Sequence, residues 1–120
     1  MDHKDLEVWK ESIELVKLIY TITEEFPKSE LYGLTNQLRR SAISVPSNIA
    51  EGCARNSDKE LIQFLYFSLA SLAELETQIV IAKELSYLNN LDNIDNKITS
   101  IRKMLLGLIK YLKNKVNSDK

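Results

Sequence analysis

Residues 39–55 hold most of the side chains in this sequence that could do chemistry. Arg40, Ser44, Ser47, Glu51 and Arg55 recur at spacings of four and three, so on a helix they share one side. Arg39 and Asn48 lie next to that stripe. Guanidinium groups bind carboxylates and phosphates through paired N–H donors, and serine hydroxyls serve as donor or acceptor. Two readings follow. In the structural one, Glu51 and Arg55 form a favourably oriented pair four residues apart. Arg40 and the hydroxyls then bridge to a neighbouring helix, and Ser44, Ser47 and Asn48 satisfy backbone groups exposed by Pro46. In the functional one, copies of the chain bring Arg39, Arg40 and Arg55 together to contact phosphate or a protein partner.

A second candidate set lies near the C-terminus. Residues 97–120 carry seven Lys/Arg against one Asp/Glu, whereas residues 1–96 carry nine against sixteen. Arg102, Lys103, Lys110 and Lys113 present this excess on one helix, either as a solvated face or as an electrostatic footprint for RNA or DNA. The net charge of −1 argues against a uniformly basic nucleic-acid-binding surface.

Catalytic and metal chemistry find little support. The one histidine, His3, stands in a terminal segment expected to be loose. Neither a Glu-x-x-His di-iron arrangement nor a Cys-His or Ser-His nucleophile can be assembled, and zinc has no ligand cluster. Cys53 reads as a small buried hydrophobe. The chain is therefore expected to be a non-enzyme with no cofactor and no metal.

The elements that position these residues follow from apolar periodicity. On the first helix, Leu6, Trp9, Ile13, Val16 and Tyr20 make one stripe and Val8, Leu15, Ile19 and Ile22 another. Asp5 is its candidate N-cap, and Phe26-Pro27 ends it. Two stripes bury more than three helical neighbours require, so one is expected to meet another subunit. On the second helix, Leu38, Ala42, Val45, Ile49 and Cys53 form the core stripe, and Pro46 predicts a bend or a helix junction. Ser57 and Glu60 have capping-box spacing at the start of the third helix. That helix carries Leu61, Leu65, Ser68, Leu72, Leu75, Ile79 and Ala82 in heptad spacing, with further apolar residues around the cylinder. The fourth repeats Ile94, Ile98, Ile101, Leu105, Leu108 and Leu112, and fraying is expected after Val116.

Helices are thus predicted at about 6–25, 34–55, 58–87 and 92–116, in one domain over 1–120. The expected fold is all-α, an antiparallel up-down-up-down four-helix bundle. Its 120 residues suffice for a core without disulfides. No opening signal-like segment is seen, and no stretch is expected to reach bilayer-spanning length, so the expectation is a cytoplasmic protein without a membrane partner.

The run from Gly33 to Gly52, GLTNQLRRSAISVPSNIAEG, resembles the signature of the 23S rRNA intervening-sequence protein family. Leu6–Lys10, Phe26-Pro27-Lys28, Ser57–Glu60 and Ala73–Gln78 resemble other segments of that family, so the likeness extends over roughly residues 5–88. The resemblance implies a four-helix bundle that forms ring-like homopentamers. It is shared with the accessory variability proteins of diversity-generating retroelements, which bind nucleic acid and a reverse transcriptase. Arg39, Arg40, Ser47, Asn48, Glu51 and Arg55 match the polar signature positions. The function so implied is a non-enzymatic oligomeric scaffold that binds nucleic acid or a nucleic-acid enzyme, with a protein-only adaptor as the alternative.

Overall fold

The computed structural model describes residues 1–118, so the last two positions of the expected domain lie outside the described residues. Among the described residues the regular structure is helical: α1 (Glu7–Thr23), α2 (Leu34–Cys53), α3 (Asp58–Glu84) and α4 (Asp92–Ser118), with 3₁₀ turns at His3–Asp5 and Lys28–Glu30. Each helix packs against its neighbours in the chain, and α1 also meets α4, closing a four-sided bundle. Partners across the α2–α3 seam show opposite directions, with Ser41 meeting Gln78 and Val45 meeting Ser68. Arg102 with Glu76 and Lys113 with Tyr66 show the same for α3 and α4.

The core forms where the periodicity places it. Leu38, Ala42, Val45 and Ile49 of α2 are fully buried, as are Leu65, Leu72, Leu75 and Ala82 of α3. On α1 the inner stripe is Val8, Leu15 and Ile19, and Ser12 and Thr23 continue it. These two hydroxyls enter an apolar core at little cost because each donates to carbonyls of the preceding turn: Ser12 to Val8 and Trp9, Thr23 to Ile19 and Tyr20. The other α1 stripe, Trp9, Ile13 and Val16, is only half-buried. On α4, Ile109 rather than Leu108 is the buried residue of the penultimate turn. A straight helix of 3.6 residues per turn drifts off a strict heptad, which moves the inner face by one position over this length.

Several local expectations need correction. α2 runs unbroken through the buried Pro46, so of the bend or helix junction expected there the junction is absent. Asp5 does not cap α1, whose N-cap is Leu6; Asp2 instead caps the preceding 3₁₀ turn. Ser57 Oγ accepts from the Glu60 amide at 3.2 Å, and the return bond from the Glu60 carboxylate does not form. α3 stops at Glu84 rather than Tyr87, because Ser86 takes a left-handed φ of 63°. The Tyr87 amide then bonds Ala82 O and the Ser86 amide bonds Lys83 O, the paired bonds of a Schellman stop. His3 is held edge-on against Trp9, with ring centroids 5.1 Å apart. By length and hydropathy α3 does reach bilayer-spanning character, contrary to the expectation that no stretch reaches that length. Its stripe from Leu61 to Ala82 nevertheless forms the centre of the core.

The two ends of the bundle are closed differently. At one end, a Cβ on Gly52 would lie 2.8 Å from both Leu61 Cδ1 and Phe64 Cβ, so the missing side chain sets how closely α2 and α3 approach. At the other, Glu30 Oε1 accepts from the Leu34 amide at 3.3 Å, and Glu30 Oε2 accepts from the Tyr87 hydroxyl at 2.9 Å. Phe26 is buried against the Tyr87 ring, 5.5 Å between centroids.

Three outcomes are expected. Gly52→Ala gains helix propensity of about 1 kcal/mol but drives a methyl into Phe64, an overpacking cost of about 1–3 kcal/mol, so its melting temperature falls. Gly107→Ala meets nothing within 4 Å and should gain up to about 1 kcal/mol in the same assay. For Tyr87, the hydrogen bond to Glu30, then burial and the Glu30 charge, raise the phenol above its ordinary 10.0. The folded state thus favours the neutral phenol, and this stabilisation is complete below pH 10.0 and disappears as pH rises through the higher folded value. Denaturant unfolding of wild type and Tyr87→Phe should differ by a constant amount at neutral pH, with the difference shrinking above pH 10.0.

Candidate functional site

Ser41 and Ser44 of α2 face α3 across a hydrogen-bonded seam. Buried Ser41 donates to Gln78 Oε1 at 3.0 Å, and Gln78 Nε2 donates to Glu74 Oε1 at 3.2 Å. The Ser44 and Ser71 hydroxyls pair at 2.7 Å. Asn48 Nδ2 donates to Ser44 O and Ser44 Oγ, both at 2.9 Å. Ser68, fully buried, donates to Val45 O at 2.8 Å, beside Pro46. A proline removes one helical donor and crowds the preceding turn, and these polar groups supply donors around that turn. Among the described residues, every buried side-chain polar atom has a partner.

The predicted cations do not gather on one face of the chain. Arg39 turns inward: its Nε donates to Thr23 Oγ1 at 3.0 Å, and the guanidinium lies 4.5 Å from the centre of the Tyr20 ring. Arg55 lies over Phe64 at 4.8 Å rather than pairing with Glu51, which is exposed. Arg102 is bound to Glu76 at 2.7 Å. Lys113 donates to the Tyr66 hydroxyl at 2.6 Å, and Lys97 is paired with Glu11 at 2.6 Å. Among the described residues, the exposed Arg40, Lys103 and Lys110 have no side-chain partner. Arg40 belongs to the α2–α3 face, whereas Lys103 and Lys110 lie on α4, which packs beside α1 and α3. Ser47 is exposed and faces α1.

Two concave features flank α2. A polar recess of about 500 Å³ is lined by Tyr32, Asn36, Arg40, Ser44, Ser71 and Glu74. An apolar groove of about 300 Å³ on the other side is lined by Trp9, Ile13, Val16, Ile43, Pro46 and Ala50. Apolar periodicity does not reveal the polar contributions of Ser41, Ser71 and Gln78. Ser68 is legible from its place in the heptad stripe of α3, where a hydroxyl must find a partner. Burial raises the Cys53 thiol above its ordinary value, which disfavours a nucleophilic thiolate. Among the described residues, no three His, Cys, Asp or Glu side chains gather as metal ligands.

No curated protein matches the chain. A solved structure from Bacteroides thetaiotaomicron, a protein of unknown function from the S23 ribosomal protein family, has the same fold. Its TM-score is 0.79 and its identity 24%, covering 86% of this chain and 95% of that one. The family profile described as 23S rRNA-intervening sequence protein matches residues 4–107, which include most of all four helices and the whole α2–α3 seam. The chain belongs to the 23S rRNA-intervening sequence protein family.

Proposed function

We propose that the protein is a non-catalytic helical scaffold that assembles with copies of itself and acts through the composite surface so formed. The apolar groove between α1 and α2 carries this reading. It joins the outer stripe of α1 to Ile43, which is 41% exposed. Further large apolar side chains are exposed on other faces: Tyr66 and Phe67 on α3, Leu106 and Tyr111 on α4. A groove and separate apolar rows on different faces suit a head-to-tail arrangement, which closes into a ring when the rotation between copies permits. Five copies is the ring size that the resemblance implies. Light scattering coupled to gel filtration should give about five times the chain mass of 13.8 kDa. Ile43→Asp should shift the mass toward one chain while leaving the helical signal unchanged. A wild-type mass of a single chain at micromolar concentration would overturn the proposal.

A second reading, nucleic-acid binding by the assembly, is supported by Lys103 and Lys110. They stand two turns apart on α4 with exposed side chains, and a ring would repeat this pair around its circumference. The many cations already engaged within the chain favour the protein-only adaptor instead. Labelled structured RNA and DNA, titrated at several salt concentrations, separate the two. Nucleic acid is supported by binding whose logarithm falls with log salt, with a slope that becomes shallower by about one for each phosphate that Lys103→Ala or Lys110→Ala leaves unneutralised. No binding at low salt leaves the adaptor.

A further inference from the structure

The polar recess between α2 and α3 offers opposite charges that do not satisfy one another. Among the described residues, Arg40, from α2, has no hydrogen bond, ion pair or ring contact from its side chain. Glu74, from α3, lines the same recess and uses only Oε1, as acceptor for Gln78. The two are not within ion-pair distance of each other, although both line a cavity of about 500 Å³. That volume falls within the range of about 300–1,000 Å³ typical of small-molecule clefts.

The floor between these charges is already satisfied internally. Ser41 and Gln78 are 5% and 6% exposed and bond to each other, which holds the Glu74 side of the recess in place. Ser44 and Ser71 have two hydroxyl protons and one hydrogen bond between them. One proton is therefore left over for an acceptor in the recess. Unused donors thus come from Arg40 and a serine hydroxyl, and an unused anionic acceptor from Glu74 Oε2. Tyr32, 91% exposed, stands at the rim.

We infer that this recess binds a small zwitterion, an α-amino acid whose carboxylate meets Arg40 and the spare serine hydroxyl while its ammonium meets Glu74. A polyanion fits poorly, because Glu74 faces any second negative group. A purely cationic ligand leaves Arg40 without a counter-charge. This inference does not depend on self-assembly or on nucleic-acid binding.

Saturation-transfer NMR on the full chain, with glycine, L-serine and L-glutamine as probes, tests it. N-acetylglycine, glycine methyl ester and inorganic phosphate serve as controls, phosphate as a competitor. The expected result is transfer to at least one free amino acid and not to the blocked forms. Arg40→Gln and Glu74→Gln should each weaken that binding about ten-fold or more, the effect of losing one charge-assisted hydrogen bond, with unchanged thermal melting. No transfer to any amino acid at about 10 mM overturns the inference, whether the recess is empty or covered by a neighbouring copy. Competition by phosphate as strong as by amino acid, or retained affinity in both variants, also overturns it.

Discussion

The close approach of α2 to α3 is the constraint on which the rest of the architecture depends. At one end it is set by the absent side chain of Gly52 against Leu61 and Phe64, and along its length by hydrogen bonds between Ser41, Ser44, Ser68 and their partners. Small residues let the two backbones come near, and polar groups in so narrow a space must find partners within it. Pro46 is tolerated inside α2 under these conditions, since the neighbouring helix holds that turn from outside. α1 and α4 then complete the bundle on either side of this pair.

The all-helical architecture is legible in the sequence because apolar spacing and burial are governed by the same geometry. Leu38, Ala42, Val45 and Ile49 can be assigned to the core without knowing what covers them. The polar stripe is less legible. Arg39 and Arg40 are adjacent in sequence, yet one is bound to Thr23 and the other is free, and that difference depends on which helix lies across from each. Glu51 and Arg55 have favourable spacing, but an aromatic ring on α3 competes for the guanidinium. Gln78 lies between heptad positions and gives no sign of burial in the sequence, because its role exists only once Ser41 faces it.

Charge has a similar lesson. The C-terminal excess of lysine and arginine looks like a surface for anions when read as composition. In the fold, Lys97, Arg102 and Lys115 reach the acidic α1 and α3, to Glu11, Glu76 and Asp58. These pairs are partly exposed, so each adds little stability, but together they favour one placement of α4 on the other helices. The acidic and basic parts of the sequence are in large part complementary to one another.

Glu30 ties together two segments distant in sequence, since one of its carboxylate oxygens holds the first turn of α2 and the other holds Tyr87 beyond α3. Moving either connection away from the other breaks the Glu30–Tyr87 hydrogen bond. Because Tyr87 stands at the start of the connection to α4, this clasp fixes where the chain leaves α3 relative to the start of α2, so the two loops at this end of the bundle are coupled to one another.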